Sequence, residues 1–166
     1  GALYSRISPR TRRVIVLGPS HHHAFSGLCL PDPGCTAFRT PLGEIPLDTN
    51  ACARLARQPG FVQLPGADAR EHSLEVQLPF LQTRLSEFAL IPLLCGQLPA
   101  DGGEALAAAL APLIDDTTLV IASSDFTHYG PRFAYTPFHD IPSDGNIRPQ
   151  LYAQLEAQTC CDLTSR

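Results

Sequence analysis

With 166 residues, 44% of them hydrophobic and 17% charged, the chain has the size and balance of one globular domain and not of a disordered segment. Its formal net charge of -4 excludes a dedicated nucleic-acid binder; the nearest thing to a basic block, Arg10, Arg12 and Arg13, reads as a solvated strand entrance. No apolar run approaches the roughly 20 residues that span a bilayer, and the first residues lack the pattern of a signal peptide, so no membrane partner is expected.

Residues 2–8 read as the tail of a helix that Pro9 ends. The β-branched run RVIVL, residues 13–17, is bounded by Gly18-Pro19 and predicts a buried strand. Turn chemistry at residues 31–34 (PDPG) and 41–43 (PLG) predicts a small hairpin excursion with one arm over 36–39. Asp48 is placed to cap a helix through Arg57, which Pro59-Gly60 stops. A longer helix is predicted over 71–86, where Leu74, Leu78, Leu81 and Leu85 form one apolar stripe and Pro79 introduces a bend. The next strand is FALIPLLC, residues 88–95, and Pro92 suggests an edge position or a bulge. A helix over 104–114, entered from residues 99–101, leads to a third buried strand, TLVIA, at 118–122. A proline-rich loop and a helix over 148–157 follow. The order predicts an α/β fold over residues 1–166, a layered sheet of mostly parallel strands with flanking helices.

Two strands end alike, in VIVLGPSHHH (14–23) and VIASSDFTHYG (120–130). Ligands of open α/β sheets collect outside the carboxyl ends of strands, so both histidine groups are expected to face one crevice. A neutral imidazole there can coordinate a metal, exchange a proton or orient a substrate. Asp125, three residues before His128, can fix that ring's tautomer or compete as a ligand. A third group is EHSLE, residues 71–75, at the expected helix start. Free N–H groups at a helix start favour negative charge, which by itself accounts for Glu71 and Glu75. His72 lies roughly 200° around that helix from Leu74 and so need not join the leucine stripe. His23 and His139 read as ordinary surface or partly buried residues, while His22 is evenly balanced. Ser20 lacks the G-x-S-x-G elbow of a hydrolase nucleophile. Six cysteines (29, 35, 52, 95, 160 and 161) make no CxxC pair, and a reduced, cytoplasmic protein is expected.

From GPSHHH onward the sequence resembles the Memo family, component B of the AmmeMemoRadiSam system. The matching segments are VIVLGPSHH (14–22), FRTPLGEIPLD (38–48), EHSLEVQLPFL (71–81), LIPLLCG (90–96) and SSDFTHYGPRFAY (123–135). They cover most of the chain between Arg13 and Tyr135, and the match beyond about Phe138 is loose. The resemblance implies the fold of the class III extradiol dioxygenases, non-haem iron enzymes that cleave aromatic rings, with a modified pocket. It implies His21 and His72 as metal ligands and Asp125 and His128 as further pocket residues in catalytic roles. The family's third ligand is a late cysteine whose context neither Cys160 nor Cys161 matches. The family's HAGY motif is also unmatched, so the resemblance implies an incomplete domain that would hold its metal weakly.

Fe(II) or Cu(I) is the implied cofactor, with zinc less suited. Two functions follow from the resemblance. One is a metal-dependent redox enzyme, a dioxygenase relative acting on a small-molecule substrate. The other is a non-catalytic binding or signalling module that uses the same pocket for a peptide or anion, as animal Memo proteins are associated with receptor signalling. Two histidines near a helix start suit an anion, but Asp125, Glu71 and Glu75 bring negative charge to the same region. The system's name further implies functional association with AMMECR1-like and radical SAM proteins.

Overall fold

The computed structural model describes residues 3–98, 102–125, 128 and 131–135. It comprises two compact units, Gly1–Ser124 and Asp125–Arg166. The first is built on a five-stranded sheet of order β5 (Phe61–Gln63), β2 (Leu28–Leu30), β6 (Ala89–Cys95), β1 (Arg13–Pro19) and β7 (Thr118–Ala122). β1 lies between β6 and β7 and is parallel to both. β2 runs antiparallel to β6 and parallel to β5. A separate hairpin pairs β3 (Ala37–Thr40) with β4 (Gly43–Pro46), which is the predicted excursion. With α1 (Thr49–Leu55), α2 (Leu78–Gln82) and α3 (Gly102–Leu110), the unit has the expected α/β layering and mostly parallel sheet.

The period of two along the central strands sorts the core onto two faces. Val14 and Val16 of β1, with Leu90 and Leu94 of β6, pack in one cluster with Leu74, Leu78, Leu81 and Leu85. Ile15, Ile91 and Leu93 look the other way, toward Ala51 and Leu55 of α1 and Leu106 and Leu110 of α3. Each of these side chains contributes roughly 1.5–3 kcal/mol of transfer free energy when fully buried, which is why both faces need a helical cover. Asp48 caps α1 by accepting the Ala51 amide at 2.9 Å and also receives Arg13 Nε at 2.9 Å. Asp48→Ala is therefore expected to lower stability by about 1–2 kcal/mol in urea unfolding. A midpoint equal to that of the wild type would show that neither contact matters.

Four expectations are corrected. The helix over 71–86 is instead a turn, a 3-10 turn at Glu75–Gln77 and the short α2. Pro79 sits in the first turn of α2, where its missing N–H has no helical partner to lose, so it starts a helix instead of bending one. The leucine stripe itself holds, with all four residues at 4% exposure or less. Second, Pro92 occupies a central strand. Leu90 turns its carbonyl away from β1 to accept the Asp48 amide, and by alternation Pro92 faces the same side. There β2 pairs only at Leu94 and Cys95, so no ladder hydrogen bond asks for a proline N–H. Third, among the described residues β7 is an edge strand and not a buried one, with Val120 44% exposed. Fourth, residues 4–6 form a single 3-10 turn in place of a helix tail.

Residues 99–101, the helix over 148–157, His139, Cys160 and Cys161 lie outside the described residues. Cys29, Cys35, Cys52 and Cys95 are free thiols, and burial pushes Cys29 and Cys95 up and Cys52 to about 11, as befits small apolar fillers. Among the described residues, no helix is long and apolar enough to cross a membrane.

Candidate metal centre

β1 and β6 end in register, Pro19 beside Cys95, and the Ser20 amide extends the pairing by donating to the Cys95 carbonyl at 2.9 Å. The chain then leaves the sheet, which carries His21 just past the carboxyl end of the strand. The segment bearing His72 is pressed onto the same end from the side. Ser73 Oγ donates to the Pro19 carbonyl at 2.9 Å, and Gly18 makes the approach feasible. A Cβ at Gly18 would stand 2.6 Å from Ser73 Oγ and 2.9 Å from Leu74 Cδ2.

These two constraints bring the imidazoles of His21 and His72 to 5.1 Å between ring centroids, 26° apart in plane. Between them and the core stands Glu71, whose side chain is only 1% exposed, against 28% for His21 and 64% for His72. Glu71 Oε2 accepts the His21 amide at 2.7 Å. Oε1 accepts His21 Nδ1 and the His72 amide, both at 2.9 Å, and the Ser73 amide at 3.0 Å. Burial pushes the Glu71 carboxyl up, but the hydrogen bonds from the His21 amide and ring and from the Ser73 amide outweigh it and hold the group at about 2. The carboxylate is thus ionised at neutral pH.

Two imidazoles and a carboxylate have the chemistry of a site for iron, copper or zinc. Ligand atoms from His21, Glu71 and His72 all lie within 4.8 Å of one another. Tetrahedral ligands of such an ion stand about 3.3 Å apart, so closing around it asks for movement on the order of 1 Å. The donor set fits a metal ion.

The family model for Memo-like proteins matches residues 1–160. The chain belongs to the Memo family. It is 33% identical over 136 residues to a memo-1 homolog of Caenorhabditis elegans, which spans 80% of this chain and 38% of that protein. Identity to protein MEMO1 of Danio rerio is 35% over 151 residues, 87% of this chain and 50% of the relative. A MEMO1 family protein of Thermococcus onnurineus is 35% identical over 146 residues, 82% of this chain and 48% of its own length. The chain thus spans about half the length, or less, of these relatives.

Of the residues singled out in this Memo sequence, His21 and His72 come together at the end of β1. Asp125 and His128 belong to the second unit, where both are exposed. There the His128 ring lies 4.7 Å from that of Phe133, in the 3-10 turn Pro131–Phe133, and the Arg132 guanidinium stands 5.7 Å from the same ring. Ser20 donates its hydroxyl to the His23 carbonyl at 2.9 Å, a turn-forming role and not that of a nucleophile. His22 and His23 are exposed and line, with His21, Phe25 and Cys95, a cleft of about 740 Å³ at the carboxyl ends of β1 and β6. Another groove, of about 590 Å³, opens beside Arg12, Phe88 and Ala89 at the amino ends of the same strands and holds none of the histidines. The member of this cluster that the sequence alone does not single out is Glu71. Its one visible signal was a carboxylate directly before a histidine, which is equally the mark of a helix start.

Proposed function

We propose that the chain carries a histidine-held metal ion used for redox chemistry on a small molecule. The observation that supports this best is the convergence of His21 and His72 over a buried, ionised carboxylate. In this reading His21 and His72 hold the ion, Fe(II) or Cu(I), redox-active metals that imidazole suits. When bound, such an ion supplies Lewis acidity and one-electron exchange. The chain's own residues do the rest. The cleft beside His21, lined by His22, His23, Phe25 and Cys95, accepts a small polar or aromatic substrate. His128 acts as acid or base with Asp125 orienting it, a pair of roles carried by the family resemblance of SSDFTHYGPRFAY. The reading includes a cytoplasmic location and functional association with AMMECR1-like and radical SAM proteins, both drawn from sequence.

Anaerobic loading of the full chain with Fe(II), and separately with Cu(I), tests it by metal content and then by oxygen consumption on exposure to air. Near-stoichiometric uptake is expected, weakened at least tenfold by His21→Ala and by His72→Ala. Uptake that both variants leave unchanged removes the site. No uptake combined with phosphopeptide binding replaces the enzyme with a binding module.

A further inference from the structure

The Glu71 carboxylate touches both histidines of the pair, and its geometry decides between two roles, ligand or support. A carboxylate has about four lone-pair positions. Here Oε1 receives the His21 ring and the amides of His72 and Ser73, and Oε2 receives the His21 amide. To become a ligand, Glu71 would have to give up donors that are themselves enclosed, since Ser73 is 5% exposed. Both oxygens already accept backbone N–H groups, so in the contact between Oε1 and His21 Nδ1 the ring is the donor. His72 is held differently: its Nδ1 stands 3.4 Å from the same oxygen, at the limit of a hydrogen bond, and its ring is 64% exposed.

We propose that Glu71 is a positioning residue that keeps the proton of His21 on Nδ1 and so makes Nε2 the metal-binding nitrogen of that residue. The inference rests on the reading of His21 and His72 as a metal pair and assigns them unequal parts. His21 is the preorganised ligand, with tautomer and ring plane fixed from behind by a carboxylate anchored to backbone amides. His72 is the adaptable one, free to settle once the ion arrives. The nitrogen that takes a metal is set by the hydrogen bond the other nitrogen makes, and such outer partners are worth about 10- to 100-fold in affinity.

Nitrogen NMR of the histidine rings reads protonation and tautomer directly in the metal-free full chain, recorded at a pH where the spectrum itself shows neutral rings. His21 is expected as the Nδ1–H tautomer, and His72 as a mixture. Zn(II), which seeks imidazole and has no redox chemistry, is the probe for affinity. Glu71→Gln keeps one acceptor oxygen but loses the charge, and its N–H₂ meets the His21 amide, so the His21 preference should weaken and Zn(II) binding fall by about 10- to 100-fold. A wild-type His21 found mainly as the Nε2–H tautomer overturns the proposal, whether or not the variant folds. Zn(II) binding within about twofold of wild type in a folded Glu71→Gln also overturns it and leaves the metal pair standing. No Zn(II) uptake by the wild type removes the pair itself and the proposal with it, and so distinguishes the two failures.

Discussion

Gly18→Val is expected to lower the unfolding free energy by about 3 kcal/mol and to weaken metal binding in the same protein. A Cβ at position 18 would press on Ser73 Oγ at 2.6 Å, Leu74 Cδ2 at 2.9 Å and Ser73 Cβ at 3.0 Å. Ser73 has little room to yield, because its hydroxyl is bonded to Pro19 and its amide to Glu71. The strand cannot move either, being paired on both sides by β6 and β7. The strain must therefore fall on the turn that carries His72. Urea unfolding and a Zn(II) titration of the same variant measure the two effects together. Gly103→Ala is the control: it lies in α3 with no atom near its would-be Cβ and should be neutral or stabilising by up to about 1 kcal/mol. If Gly18→Val unfolds and binds like the wild type, the packing of residues 71–74 on β1 does not place His72.

His72 sits on a turn packed against the glycine end of β1, and only part of that arrangement is legible in the sequence. Strands ending in GPS before a histidine announce a crevice at their carboxyl ends, and that rule brought His21 into view. His72 stands off the leucine stripe on a helical reading, but the backbone there is a turn and not a helix. The stripe was sound because burial depends on which side chains face the sheet, and Leu74, Leu78, Leu81 and Leu85 do so even with the helix broken before Leu78. Helical geometry was unsound because Glu71 takes the amides of His72 and Ser73 for its own carboxylate, a competition that local propensity does not register. The same event hid Glu71, whose role exists only once His21, fifty positions earlier, is folded beside it.

The misread strands share a cause of the same kind. Proline argues against a central strand only where the neighbour on its N–H side is long enough to need it, and β2 has three residues. The lengths of β2 and β5 give too few residues for a period to emerge, so neither is legible as a strand in the sequence. TLVIA is apolar enough for an interior strand, but partners decide burial, and among the described residues β7 pairs with β1 alone. Elements were legible; neighbours were not.

Acid should expose the Glu71 anchor more sharply than any other described carboxylate of the first unit. Its folded-state value of about 2 lies below the ordinary 4.5, so on acidification the unfolded chain takes up this proton first. The stability linked to ionised Glu71 is therefore complete above about pH 4.5 and is lost as pH falls toward 2. A depression of that size corresponds to something on the order of 3 kcal/mol. Asp115 is also held below its usual value, by the Thr117 hydroxyl and amide, but it stands in solvent, where salt screens it. Urea unfolding of the metal-free protein, in chelator and moderate salt, should show stability falling steadily between about pH 5 and 3. In Glu71→Gln the stability at neutral pH should already be reduced and the slope in that window much shallower. Parallel curves for the two proteins would mean that the carboxylate is not held by its amides in solution, and the anchor behind His21 would be lost with it.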